Sequence, residues 1–174
     1  GIPLLQAADQ FQAYRKGPLV MYALREYIGE ERINTALKNL LTRFKTGEPP
    51  FATSLDLYQE IRAVTPDSLQ YLLTDLLERN TFWDLKAKMS GFRPGRAGRW
   101  LVTMEVTAKK VHVDKAGNET ELPMNDMIEI GVLKAGRDKR DAPLILQMRR
   151  IRSGKNRITV EVSVRPGSVV IDPR

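Results

Sequence analysis

Val102-Thr103-Met104-Glu105-Val106-Thr107-Ala108-Lys109 alternates apolar and polar side chains without a break. Successive side chains of an extended chain point to opposite faces. Val102, Met104, Val106 and Ala108 therefore share one face, and Thr103, Glu105, Thr107 and Lys109 the other. This is the signature of a half-buried strand. Past it the apolar phase slips by one residue, to Val111 and Val113, which predicts a β-bulge at Lys109 and Lys110. Asp114-Lys115-Ala116-Gly117-Asn118 then supplies a hairpin loop. Strands follow at Glu119–Leu122 and Met127–Leu133, the latter with Ile128, Ile130 and Val132 facing inward. Leu144–Arg152 and Arg157–Val164 flank Ser153-Gly154-Lys155-Asn156, which reads as a second hairpin, and Val169–Ile171 follows Pro166-Gly167. With Phe82–Met89 added upstream, about seven strands emerge, spaced as in an immunoglobulin-like sandwich rather than a barrel.

Upstream of Asn80 the period changes to that of a helix. Pro18–Ile28 is rich in helix formers, with Pro18 suited to a first turn and Gly29 to a stop. Ile33, Ala36, Leu37, Leu40, Leu41 and Phe44 recur at steps of three and four and lay one apolar stripe along a second helix. Glu30 and Glu31 put negative charge at its positive end. After the Gly/Pro-rich break at Thr46–Ala52, Thr53 or Ser54 can cap a short helix bearing Leu57, Tyr58 and Ile61. A fourth start signal combines Thr65 as N-cap, Pro66 and Asp67 ahead of Leu69, Leu72, Leu73, Leu76 and Leu77. The opening stretch Ile2–Ala13 is partly apolar too, as in a longer helical array.

Charge marks the same boundary. Residues 1–80 hold 9 Lys/Arg against 10 Asp/Glu, which leaves 19 of the 28 basic and 11 of the 21 acidic residues for 81–174. The fold class that follows is α+β: a helical part of about four helices over residues 1–80, then a basic antiparallel sandwich over 81–174. Cysteine is absent, which excludes disulfides, thiolate metal sites and cysteine nucleophiles. The longest apolar runs, such as Leu19–Leu24, fall far short of the roughly 20 residues needed to cross a bilayer. Gly1–Leu5 does not read as a signal peptide.

Tyr14-Arg15-Lys16-Gly17, followed by Pro18-Leu19-Val20-Met21-Tyr22-Ala23-Leu24-Arg25-Glu26-Tyr27-Ile28-Gly29-Glu30-Glu31, resembles a segment of the aminopeptidase N family of zinc peptidases. There a Tyr-x-Lys-Gly motif opens a helix downstream of the zinc site, and the helix runs through a Leu-rich stretch to a Gly-Glu-Glu turn. The resemblance implies that Tyr14 is the catalytic tyrosine, whose hydroxyl donates to the oxyanion of the tetrahedral intermediate. Lys16 and Gly17 are then supporting residues that shape the start of the helix. Within the family, the chain is most similar to the peptidase region that some bacterial membrane proteins carry beside permease segments of ABC-transporter type. The likeness runs from about Ile2 to Asp172, with specific motifs only between Tyr14 and Glu31.

The family holds its zinc with two histidines of an H-E-x-x-H helix and a later Glu. This chain has one histidine, His112, in Val111-His112-Val113. The implied reading is therefore the C-terminal part of a zinc aminopeptidase, with its metal ligands upstream of Gly1, and no metal site and no activity of its own. Its implied partners are a peptide substrate and the rest of the catalytic domain. The implied setting is a membrane-attached bacterial parent, this portion itself being soluble. The basic stretches Arg93–Arg99, Arg137–Arg140 and Arg149–Arg157 support an alternative of another class, a non-catalytic adaptor whose sandwich contacts an anionic membrane surface or a partner protein. Nucleic acid is the less favoured polyanion, because the only aromatics in or beside these stretches are Phe92 and Trp100.

Overall fold

The computed structural model describes residues 3–6, 12–136 and 143–172. The basic stretch at 137–140 and much of the apolar opening at 2–13 lie outside the described residues. The chain divides into two compact units, one formed by residues 1–81 with 112–119 and the other by 82–111 with 120–174.

The first unit is helical. A 3-10 turn at Leu4–Gln6 and a π-helical turn at Gln12–Lys16 precede α1 (Gly17–Ile28), which buries Val20, Leu24 and Ile28 at steps of four. Gly29, at φ 99°, ends α1 with its N–H on the Arg25 carbonyl (2.9 Å), a conformation that suits a residue without Cβ. Helix α2 (Glu30–Arg43) starts at once, and α3 (Ser54–Val64) follows. Thr53 caps α3 in a reciprocal box. Its hydroxyl accepts from the Asp56 N–H (3.3 Å), while its own N–H donates to the Asp56 carboxylate (2.9 Å). Val20, Leu24, Ile28, Ile33, Ala36, Ile61, Leu72, Leu73 and Leu77 form one apolar core.

The fourth helix departs from the expectation. Thr65 is not its N-cap: the residue is extended, and its hydroxyl donates back to the Ile61 carbonyl (2.7 Å), closing α3. The Gln70 amide donates to the carbonyls of Arg62 (3.0 Å) and Thr65 (2.8 Å), satisfying the end of α3 from the following segment. What remains is a 3-10 turn at Asp67–Leu69, a single α turn, α4 (Gln70–Leu73), and a π-helical turn at Thr74–Glu78.

The second unit is a sandwich of two antiparallel sheets. Its strands are β1 (Thr81–Pro94), β2 (Trp100–Val113), β3 (Glu119–Leu122), β4 (Asn125–Lys134), β5 (Ile145–Arg152), β6 (Gly154–Val162) and β7 (Pro166–Ile171). One sheet has the order β1-β2-β3, with β6 also paired to β2 from Trp100↔Val162 to Ala108↔Gly154; the other is β5-β4-β7. Val102, Met104, Val106 and Ala108 meet Ile128, Ile130, Val132, Ile151, Val160 and Val162 in a single core. The alternation that opened the sequence reading is thus the inner face of β2.

Two local expectations are corrected. Ser153–Asn156 is not a hairpin: β5 pairs with β4 and β6 with β2, so the chain crosses from one sheet to the other at this corner. The Asn156 side chain fixes it, accepting from the Arg152 N–H (3.0 Å) and donating to the Arg152 carbonyl (2.7 Å). Nor does the inward phase of β2 shift near Lys109. Burial continues at every second residue through Lys110, which is 6% exposed, while Val111 and Val113 are only half-buried. The Lys110 ammonium lies 3.1 Å from each carboxylate oxygen of Asp126, and Trp83 Nε1 donates to the same carboxylate (2.9 Å). An ion pair therefore occupies the place where the sequence pattern called for an apolar side chain.

Candidate functional site

The Tyr14-Arg15-Lys16-Gly17 motif spans the π-helical turn and the first residue of α1. No side chain caps α1, and Pro18 stands in its first turn, where a missing N–H leaves nothing unsatisfied. Tyr14 projects into solvent, 78% exposed, and its hydroxyl makes no hydrogen bond among the described residues. Further along, Leu19 (70%) and Tyr22 (43%) are exposed on the side of α1 away from Val20, Leu24 and Ile28. The Arg25 guanidinium covers one face of the Tyr22 ring at 5.0 Å. An aromatic and aliphatic surface thus runs along α1 from Tyr14.

Lys16 behaves differently from its neighbours. It is half-buried, and Nζ donates to Asn80 Oδ1 at 3.4 Å. Burial pulls its ammonium below the usual lysine range. Asn80 is itself buried, and its carbonyl accepts from the Val113 N–H at 2.9 Å. Lys16 thereby ties the turn carrying Tyr14 to a fixed point 64 residues away in sequence. Nothing in the sequence marked Asn80 as that partner, since a single buried asparagine has no spacing signature.

Gly17 lines an apolar cavity of about 490 Å³ with Leu4, Pro18, Val20, Leu57 and Ile61 among its walls. The Tyr58 hydroxyl, also at this cavity, donates to Glu78. Burial and that partner raise the Tyr58 phenol above its ordinary range.

His112 is half-buried near the end of β2. Among the described residues its Nδ1 has no hydrogen-bond partner, and neither does the buried Thr81 hydroxyl; the Val113-to-Asn80 bond sets these two residues side by side on neighbouring strands. Among the described residues no three His, Cys, Asp or Glu side chains come together in a way that could hold a metal ion. Also among the described residues, no helix is long and apolar enough to cross a membrane. What the arrangement offers chemically is a phenolic donor without a hydrogen-bond partner among the described residues, on an exposed helical turn whose half-buried Lys16 bonds Asn80. Neither a family model nor a curated protein matches this sequence.

Proposed function

We propose that this chain is the C-terminal part of a zinc-dependent aminopeptidase of the aminopeptidase N type. In this reading Tyr14 donates its hydroxyl hydrogen to the oxyanion of the tetrahedral intermediate, and the sandwich helps to shape the substrate site. The carrying observation is the placement of the Tyr14 hydroxyl, unengaged and 78% exposed, on a turn that Lys16 anchors through Asn80. A donor of that kind stabilises developing negative charge only when nearby groups hold it in place beforehand. The exposed Leu19 and Tyr22 support the same reading, because an aromatic and aliphatic helix face of this sort is the surface that neighbouring polypeptide covers.

The family's two zinc histidines are not both present in this sequence, where His112 is the only histidine, and among the described residues it joins no group of three His, Cys, Asp or Glu side chains able to hold a metal. Zinc and its ligands accordingly belong to polypeptide outside this chain, and isolated residues 1–174 are expected to be inactive. The test is Tyr14→Phe in the longer protein that carries an H-E-x-x-H helix upstream. Removing one oxyanion donor lowers kcat on the order of 100- to 1,000-fold. Zinc content and thermal stability should stay unchanged, because the Tyr14 hydroxyl holds nothing in place. Wild-type kcat in that variant, or peptide cleavage by residues 1–174 alone with one bound zinc, would end the proposal.

A further inference from the structure

The β1–β2 turn collects cations and aromatics at one end of the sandwich. Arg93, Arg96 and Arg99 follow one another at steps of three along Arg93-Pro94-Gly95-Arg96-Ala97-Gly98-Arg99, between Phe92 and Trp100. All three arginines are exposed. The turn is tightly built, with Gly95 N–H on the Arg99 carbonyl (2.8 Å) and Ala97 and Gly98 both left-handed, at φ 52° and 72°. A non-glycine residue in that region is a strained choice.

The neighbouring turn adds to the cluster. Trp100 pairs with Val162, so the β6–β7 turn lies beside this tip, and the Arg165 guanidinium sits 5.5 Å from the centroid of the Phe92 ring. Phe92 and Trp100 meet edge to face at 5.6 Å. Among the described residues Glu161, 3.4 Å from Arg99, is the one carboxylate in contact, and no acidic side chain pairs with Arg93, Arg96 or Arg165. Phe92 (37%) and Val164 (40%) remain exposed among these charges.

We propose that this tip, Arg93, Arg96, Arg99 and Arg165 around Phe92 and Val164, is a docking surface for anionic phospholipid headgroups. The proposal stands on the sandwich alone and does not depend on the peptidase reading. Charge complementarity supplies the long-range attraction, which for clustered Lys and Arg acts within about a Debye length of the membrane. The exposed apolar groups choose between polyanions. Phe92 and Val164 can enter the boundary between headgroups and acyl chains, where aromatic and apolar side chains interleaved with arginines are stable. A nucleic acid gains little from them: Arg165 lies over the Phe92 ring, while Trp100 is half-buried and packed against Phe92 and the sandwich core, so stacking surface for bases is scarce.

The test is sedimentation of the full chain with vesicles of phosphatidylcholine, with or without about 30 mol% phosphatidylserine. Binding is expected only with the anionic lipid and should fade as NaCl rises from about 50 to about 300 mM. At the usual contribution per basic residue near a membrane, R93Q/R96Q should weaken binding about 30-fold. F92A should weaken it further without changing the salt dependence. K86Q/K88Q removes the same charge from exposed positions on β1 away from the tip and should leave binding nearly intact. No binding at low salt, an equal loss in K86Q/K88Q, or tighter binding to an oligonucleotide or a polyglutamate peptide than to the vesicles would each overturn the proposal.

Discussion

Replacing Asp126 by alanine removes the carboxylate that pairs with the buried Lys110 ammonium. Lys110 and Asp126 are 6% and 4% exposed, with Nζ 3.1 Å from both carboxylate oxygens, and Trp83 Nε1 bonds the same carboxylate at 2.9 Å. Breaking a buried ion pair on one side costs about 3–5 kcal/mol, because the remaining charge stays desolvated. The orphaned indole N–H adds about 1 kcal/mol more. The two losses overlap, since the collapsed site can shift to ease both, so D126A should lose about 4 kcal/mol. That is a large share of the roughly 5–15 kcal/mol that holds a domain together. K110M/D126L removes both charges and takes the acceptor from the Trp83 indole and from the Asn125 N–H (3.2 Å), the latter at an exposed residue that water can reach, so it should lose about 1–2 kcal/mol and be more stable than D126A.

Urea unfolding followed by tryptophan emission is the assay. Both tryptophans, Trp83 and Trp100, lie in the sandwich, so the signal reports that unit and not the helices. A D126A loss under about 1 kcal/mol would mean that the pair is effectively solvated, and the reasoning fails. A double variant as unstable as D126A would refute the charge argument and assign the loss to packing or to the Trp83 bond.

Two other perturbations test local claims. Ala97→Gly relieves a left-handed alanine, offset in part by the freer unfolded chain, and should stabilise the sandwich by about 0.5–1 kcal/mol in the same urea assay. The Asp172 carboxyl is raised above its ordinary range by burial and then by the Glu129 charge. A raised folded value means that the native state holds this proton more tightly than the unfolded chain does, so its contribution is favourable in acid and is lost as pH rises through that raised value. Asp172→Asn should therefore stabilise the protein at neutral pH and give no gain below about pH 4, as read from melting temperatures across pH. By surface area the residue is exposed, so solvent screening keeps the gain under about 1 kcal/mol, and asparagine tolerates the φ of 44° at this position.

Periodicity made the architecture legible. The alternation of Val102 to Ala108 and the spacing of Ile33, Ala36 and Leu37 report which face of an element is buried, and those residues line the two cores; the stripe fails further along α2, where Leu41 is 71% exposed and Leu40 and Phe44 stay outside the core. The misreadings fall where a side chain satisfies a backbone group or a charge across a long separation. Thr65 carried a cap signal, but Ile61 and Gln70 compete for it. Ser153–Asn156 carried hairpin composition, yet which sheet each flanking strand joins is decided by distant pairing with β2 and β4. Tyr14 was picked out by its motif alone; its exposure and the link from Lys16 to Asn80 come only from the folded chain.

Lys110 shows why such residues escape a hydrophobicity pattern. A lysine at an inward position looks like a break in the strand, and the slip to Val111 and Val113 looks like its repair by a bulge. The alternative is to keep the phase and neutralise the charge, which needs an acid at one point on another strand and a donor to complete it. Asp126 and Trp83 meet that need from β4 and β1. Swapping such a triad for apolar residues is often neutral or stabilising, so its presence does not by itself mean added stability. The requirement that Lys110 meet Asp126 opposes a one-residue slip of β2, because either register error would expose Val102, Met104 and Val106 and strand the ammonium away from its acid.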